Sequence, residues 1–176
     1  MLTRRQLLGL GLLTSATTWL AGCGGWYLRG ARKTALTGKR FFVTPLPTGY
    51  LYNYFVTELS YVGIIVVGDR GQADAVVTLS HETFDRRTLS VDPSTGKVRE
   101  IELGLQVQLE VRAGDGSLLL APEKFTWYQD FVFDEFSVLG TEEVELNSRI
   151  QLEKDASRSL ALRMETLKFK AAPGDR

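Results

Sequence analysis

The fold is decided by Ile101-Glu102-Leu103-Gly104-Leu105-Gln106-Val107-Gln108-Leu109-Glu110-Val111, in which an apolar residue returns at every second position. A β-strand points successive side chains to opposite faces, so this period of two places all the apolar side chains on one face. One buried face and one wet face are typical of a strand in an antiparallel sheet. The stretch therefore predicts a long strand of such a sheet.

Turn residues on both sides extend this strand into an antiparallel meander. Downstream, Gly114-Asp115-Gly116 predicts a tight hairpin. Residues 117–133 predict the next strand, where Pro122 favours an edge position or a bulge. One side of that strand carries Phe125, Trp127, Phe131 and Phe133. Upstream, residues 92–96 predict a turn. The strand before this turn has an apolar residue at every second position at Ala75, Val77 and Leu79, and again at Leu89 and Val91.

The segment before the meander predicts a strand, a helix and a second strand. Residues 39–44 predict the first strand, and Thr48 is a candidate cap for the helix that follows. The core-facing stripe of this helix is Leu51, Phe55 and Leu59, and Gly63 fits its C-terminus. Residues 64–67 predict a short edge strand.

A last helix is predicted after the meander. Thr141 with Glu142 and Glu143 behind it fits a helix start, because a hydroxyl caps free amides and acids favour the positive end of the dipole. The apolar stripe is Leu146, Ile150, Leu160, Met164 and Leu167.

This element order predicts an α+β fold, in which two helices pack on one face of a mostly antiparallel sheet of about four to five strands. We expect four segments along the chain. Residues 1–22 form a signal peptide that is removed, and residues 23–38 form a lipidated tether. Residues 39–170 form a single α+β domain, and residues 171–176 form a short polar tail.

The N-terminal segment contains an export signal and a lipidation site. Residues 1–5 are positive, residues 7–13 are apolar, and Leu20-Ala21-Gly22-Cys23 has the lipobox pattern. A transmembrane helix needs about 20 apolar residues, whereas hydroxyl residues interrupt this run early. A buried core thiol is the other interpretation, but the glycines that follow suit a tether better. We therefore expect Cys23 to carry S-diacylglycerol and an N-acyl chain, palmitate among the acyl groups.

The residue after the cysteine bears on the destination. It is Gly24 and not Asp, which under the usual sorting rule of enteric-type bacteria directs a lipoprotein to the outer membrane. The mature residues would then face the periplasm. Arg4 and Arg5 also resemble a twin-arginine signal, so the general and the twin-arginine export routes both stay open.

Composition and motifs argue for binding and against catalysis. The 21 basic and 21 acidic residues cancel, which excludes the strong basic excess of a nucleic-acid binder. His81 is the only histidine, so neither a zinc protease motif nor a usual zinc ligand set can be assembled. Glu142 and Glu143 fit a helix end better than a catalytic dyad, and no Gly-x-Ser-x-Gly elbow is present. We expect no enzyme activity, no cofactor and no metal.

Four basic residues flank the turn at residues 92–96, namely Arg86, Arg87, Lys97 and Arg99. They fit a solvated turn balanced by Glu82 and Glu100. They also fit a cationic tip that pairs with phosphate oxygens of a ligand. A protein interface on the wet strand faces, using aromatics such as Tyr128, is a third possibility.

The chain resembles the lipopolysaccharide-assembly lipoprotein family LptE. The resemblance begins behind the lipobox, where the family usually has Cys-Gly-aromatic-x-Leu-Arg and this chain has one extra glycine. The matching segments occur in order along nearly the whole chain: residues 23–30, 99–103, 131–134, 138–139 and 142–143, then Asp155, Ala156 and Leu160.

The resemblance implies a protein that sits as a plug inside the LptD β-barrel of the outer membrane, helps that barrel assemble, and binds lipopolysaccharide on its way to the cell surface. The family often has an Arg where this chain has Gln129, and a Lys where it has Gly140 and Thr141. The family's basic contacts therefore do not carry over. Arg86, Arg87, Lys97 and Arg99 are candidate lipopolysaccharide contacts from charge and position alone.

The sequence thus supports a non-enzymatic, outer-membrane-anchored partner of LptD that takes part in lipopolysaccharide transport. A second hypothesis is another periplasmic lipoprotein, such as an accessory subunit of a lipid-transport ABC system. A lipoprotein enzyme with an unrecognised site is a third. Isolation of the native complex separates the first two, because their partners lie in different membranes.

Overall fold

The computed structural model describes residues 36–46, 50–133, 138–167 and 169. The predicted signal peptide, Cys23, residues 23–35 of the tether, the Thr48 cap and the polar tail lie outside the described residues. Every described residue belongs to one compact unit, Lys33–Arg176.

Five strands and two α-helices make up the described chain. The strands are β1 (Arg40–Val43), β2 (Ile65–Val66), β3 (Ala75–Val91), β4 (Val98–Ala113) and β5 (Leu118–Val132), and the helices are α1 (Leu51–Tyr61) and α2 (Val138–Glu165). The sheet order is β2-β1-β3-β4-β5. β1 runs parallel to both of its neighbours, whereas β3, β4 and β5 form an antiparallel meander. The predicted α+β fold is confirmed.

The core lies on the side of the sheet that the β4 pattern predicts. The six apolar residues of β4, Ile101 through Val111 at every second position, are at most 5% exposed. They belong to one apolar cluster with Phe55 of α1 and Leu160 of α2. Because each fully buried side chain of this size contributes about 1.5–3 kcal/mol, this row is a major source of the fold's stability.

The β1–α1–β2 unit matches its prediction closely. The stripe Leu51, Phe55 and Leu59 is fully buried. The chain then reverses at Gly63, whose φ of +82° favours glycine, and any side chain there would lie 3.2 Å from Cγ2 of Thr37. β2 follows at the edge of the sheet, as predicted, and pairs with β1 in parallel. A parallel pair requires a crossover, which α1 supplies.

The last helix differs from its prediction at the N-terminal end. α2 begins at Val138, so Thr141 lies inside the helix, where it is 6% exposed. Leu160, Met164 and Leu167 are buried as expected, but Leu146 is 57% exposed. The reason is length, because the 28 residues of α2 extend well past the 11 residues of α1. Sequence periodicity does not show where a long helix loses its packing partner.

The pairing of the long strands is irregular at several points, two of which lie at His81 and Pro122. Register is lost between Ser80 and Thr83, where His81 has a φ of +54°. An extra residue in one strand, with its first position in the left-handed region, is a β-bulge and increases the local twist. Pro122 lies in edge strand β5, beside a register shift opposite Leu109 and Val111. The predicted edge position and the predicted irregularity at Pro122 are both found.

Candidate binding surface on the long hairpin

The turn between β3 and β4 is built around one carboxylate. Oδ1 of Asp92 accepts hydrogen bonds from the backbone N–H groups of Ser94 and Thr95, at 2.9 and 3.0 Å. It also accepts one from the Ser94 hydroxyl. These bonds favour the charged form and lower the pKa of Asp92 to about 2. The far end of the hairpin is therefore an ordered turn, and Lys97 and Arg99 follow it in the chain.

The four basic residues predicted around this turn do not form one cluster. Arg86 pairs with Leu103 in the register of the sheet, on the face that carries the helices, and its Nε lies 3.3 Å from Oε2 of Glu145 in α2. Arg87 follows it in the strand and therefore points to the opposite face. The two neighbours thus lie on different surfaces of the sheet.

Arg87 is held by two groups on the wet face. Its Nε lies 2.5 Å from Oε1 of Glu102, the residue opposite it in β4. Its guanidinium carbon lies 5.5 Å from the centroid of the Tyr128 ring in β5. Hydrogen bonding to the Glu102 carboxylate raises the pKa of Arg87 above its ordinary value. Arg87 is therefore already engaged within the protein.

Lys97 and Arg99 lie at the end of the hairpin. The carbonyl of Lys97 closes the turn by accepting from the N–H of Asp92 at 2.7 Å. Arg99 lines a shallow cavity of about 270 Å³ with Ser90, Val91, Glu100 and Val132. Val132 is 69% exposed and Val91 is 51% exposed. Of the four predicted contacts, Arg99 is the one placed beside both a cavity and exposed apolar groups, which suits an amphiphilic ligand.

The wet face contains a feature that sequence reasoning missed. Tyr128 and Gly104 are opposite one another in the register of β5 and β4. A Cβ atom on Gly104 would lie 3.4 Å from Cε1 of Tyr128, so the tyrosine ring covers the glycine. The sequence does contain a signal for this feature. Between Ile101 and Val111, Gly104 is the one wet-face position of β4 without a side chain. A glycine inside a strand often marks a close approach.

A second missed feature lies between the helices. Glu153 of α2 is 2% exposed. Burial raises the pKa of this carboxyl, while the backbone N–H of Tyr50, at the start of α1, donates to it and opposes that shift. The Ser157 hydroxyl donates to the carbonyl of Glu153 at 2.8 Å and lies 3.3 Å from the carbonyl of Leu51. These polar groups join the two helices.

The described residues contain neither a cluster of metal ligands nor a helix that could span a membrane. Within the ranges that the structure describes, no three His, Cys, Asp or Glu side chains come together as possible metal ligands. Over the same ranges, neither helix has the length and apolarity needed to cross a membrane. His81 lies exposed on the bulge, with Nδ1 3.2 Å from the Ser80 hydroxyl.

Solved structures of lipoproteins share this fold. An uncharacterized lipoprotein B from Nitrosomonas europaea is 21% identical with a TM-score of 0.65, covering 80% of this chain and 90% of its own. A minor lipoprotein from Acinetobacter baumannii is 20% identical with a TM-score of 0.62, covering 78% of this chain and 99% of its own. Rare lipoprotein B from Shewanella oneidensis is 21% identical with a TM-score of 0.59, covering 71% and 92%. At these identities the likeness establishes the fold alone.

Sequence comparison provides the family. No curated protein matches the chain significantly. The family described as LptE, lipopolysaccharide-assembly, matches residues 39–166, which include all five strands and both helices of the described chain. The resemblance seen in the sequence is thereby confirmed, and the chain belongs to the LptE family of lipopolysaccharide-assembly proteins.

Proposed function

We propose that the protein is a non-enzymatic lipoprotein of the outer membrane that partners the LptD β-barrel, helps that barrel assemble, and takes part in lipopolysaccharide transport and insertion. One observation carries this proposal: the lipopolysaccharide-assembly family matches residues 39–166. The match spans the folded part from β1 to the last residues of α2.

The anchor in this proposal is Cys23. Its lipobox neighbours, the small residues Ala21 and Gly22, fit cleavage before the thiol, and Gly24 favours the outer membrane over the inner one. Each buried methylene contributes about 0.8 kcal/mol, so a single acyl chain binds marginally and several chains hold the protein firmly. The mature domain would then face the periplasm.

The hairpin end is the proposed contact for lipopolysaccharide phosphates. Arg86 has Glu145 as a partner and Arg87 has Glu102, whereas Arg99 lines an open cavity with exposed valines beside it. A guanidinium beside apolar groups suits a ligand that carries both phosphate and acyl chains. We therefore assign the larger share of phosphate binding to Arg99, and a smaller share to Lys97, Arg86 and Arg87.

The deciding experiment is isolation of the native complex. A C-terminally tagged full-length chain, extracted in mild detergent from envelopes of its own host, should bring down a large outer-membrane β-barrel in near-equal amount. A Cys23→Ala variant should lose that partner together with its membrane association. Recovery of an inner-membrane ABC complex would favour a lipid-transport accessory subunit instead, and recovery of the tagged chain alone would refute the barrel partnership.

A further inference from the structure

The side of the sheet opposite the helices carries nine residues in three rows across β3, β4 and β5. The rows follow the register of the strands: Thr83, Gln106 and Thr126; Asp85, Gly104 and Tyr128; Arg87, Glu102 and Asp130. These nine residues are called the platform. Six of them are exposed, among them Tyr128, whose exposed fraction is 58%. The platform is thus a flat polar surface with one aromatic ring at its middle row.

The Tyr128 ring rests on the backbone of the neighbouring strand. A Cβ atom on Gly104 would lie 3.4 and 3.5 Å from two ring carbons of Tyr128, and 3.6 Å from Cβ of Asp85. These are ordinary van der Waals distances, so a single methyl group would just fit beneath the ring, whereas a larger side chain would meet it. The small size of residue 104 therefore leaves room for the ring to lie across the sheet.

A charge pair in the adjacent row fixes this ring further. The Arg87 guanidinium lies 5.5 Å from the ring centroid and is itself bound to Glu102. Glu102 is only 8% exposed, because Arg87 covers it. A cation at this distance is attracted to the π face of a tyrosine. Tyr128 is therefore held in position before any ligand arrives, which reduces the entropy lost on binding.

The charges of the platform indicate what it can bind. Asp85, Glu102 and Asp130 oppose the single cation Arg87, so the surface is acidic and unfavourable for phosphate groups or an anionic bilayer. Four of its nine residues are ionised, whereas the core of a protein interface is depleted of charge. The platform offers carboxylates, one amide and several hydroxyl groups. Together these groups accept and donate hydrogen bonds, as the hydroxyl groups of a sugar require.

We propose that the platform binds the oligosaccharide part of lipopolysaccharide, with one sugar ring packed on the part of the Tyr128 ring that stays exposed beside Arg87. The weakly positive C–H groups of a pyranose complement the negative face of an aromatic ring. The neighbouring Asp85, Gln106 and Asp130 accept hydrogen bonds from the hydroxyl groups of the sugar. This inference rests on the proposed function. Lys97, the residue before β4, is seven residues from Gly104, about 23 Å at the rise of a strand. One molecule can therefore place phosphates at the hairpin end and neutral sugars on the platform.

The test uses the full-length lipoprotein in detergent micelles and dephosphorylated core oligosaccharide, released from lipopolysaccharide by mild acid. Saturation-transfer NMR titrations measure its affinity for the wild type and for Tyr128→Ala, Tyr128→Phe and Tyr61→Ala. Tyr61 is the matched control, since it is 68% exposed at the end of α1, away from the platform. Circular dichroism verifies that each variant is folded, and Tyr128→Phe retains the ring if Tyr128→Ala is not folded.

We expect Tyr128→Ala to weaken oligosaccharide binding roughly five- to tenfold, while Tyr128→Phe and Tyr61→Ala bind as the wild type does. Absence of binding to the wild type, equal binding by maltohexaose, or unchanged binding by Tyr128→Ala would each overturn the proposal. Loss of the barrel partner in Tyr128→Ala without oligosaccharide binding would make the platform a protein interface instead. Barrel recovery by the wild type tests the proposed function separately, so the two can fail independently.

Discussion

The two faces of β4 are stabilised in different ways. On the core face, six apolar side chains that are at most 5% exposed pack into the cluster shared with both helices. On the wet face, Glu102 and Gly104 are buried as well, but beneath Arg87 and Tyr128 of the neighbouring strands. Apolar burial is non-directional, whereas each contact of the wet face requires one particular partner. The core face therefore fixes which side of β4 is buried. The wet face fixes which residues of the neighbouring strands contact it.

The largest expected effect comes from the core face. Leu105→Ala should lower the free energy of unfolding by about 2–5 kcal/mol, because it removes a side chain that is 0% exposed and leaves a cavity. Its neighbour Gln106 points to the wet face, so Gln106→Ala should change that free energy by less than about 0.5 kcal/mol. Urea denaturation followed by circular dichroism measures both. Similar losses in the two variants would contradict the difference between the faces.

Gly104→Val is expected to have the next largest effect, since it adds a side chain where the Tyr128 ring and Asp85 already lie 3.4 and 3.6 Å away. We expect a loss of about 1–3 kcal/mol in the free energy of unfolding. In a Tyr128→Ala background the same substitution should be less destabilising, and a double-mutant cycle measures the coupling. Equal losses in the two backgrounds would show that the ring does not rest on Gly104.

Two carboxylates should give opposite pH dependences. Burial raises the pKa of Glu153 above 4.5, so the folded state holds its proton more tightly and stability falls as the pH rises through and above that value. Hydrogen bonds lower the pKa of Asp92 to about 2, so its contribution is present above 3.8 and is lost as the pH falls toward 2.

Glu153→Gln should therefore flatten the decline above pH 4.5, and Asp92→Asn should flatten the loss of stability at acid pH. Urea midpoints measured from pH 2.5 to pH 8 test both expectations. A decline of unchanged slope in Glu153→Gln would mean that this carboxyl is not the group responsible.

The smallest effect on stability, less than about 0.5 kcal/mol, is expected for Lys97→Glu combined with Arg99→Glu. The same pair should weaken lipopolysaccharide binding, with a difference from wild type that diminishes as salt is added. Arg86→Glu with Arg87→Glu is the matched charge change, and it should destabilise more because it places like charges beside Glu145 and Glu102. Equal binding by the wild type and the Lys97/Arg99 variant, as measured by titration at two salt concentrations, would remove the hairpin end as the phosphate site.

Much of the fold could be predicted from local pattern. The alternation in β4, the helical stripe of α1 and the glycine at residue 63 each act over a few residues, and each is found as expected. The early start of α2 and the exposure of Leu146 were not predicted. The exposure of Leu146 depends on how far the neighbouring helix extends, which no local pattern contains.

The candidate site was less predictable than the fold. The prediction that four basic residues form one cluster assumed that residues close in the sequence are also close in space. Consecutive residues of a strand face opposite ways, so Arg86 lies with α2 and Arg87 lies with Tyr128. Glu153 shows the same limit, because an acid in a helix is usually exposed and nothing near it in sequence shows that α1 begins against it.

By itself, the sequence determined the α+β class, the buried face of β4, the lipobox cysteine as the expected anchor, and the family. These follow from short-range periodicity and from motifs that are linear. Only the tertiary structure decided which charges are paired, that Tyr128 lies across Gly104, and that Arg99 borders a cavity. The physical reason is register: partners of this kind are joined by strand pairing and helix packing between residues 15 to 59 positions apart, such as Arg87 with Glu102 and Arg86 with Glu145.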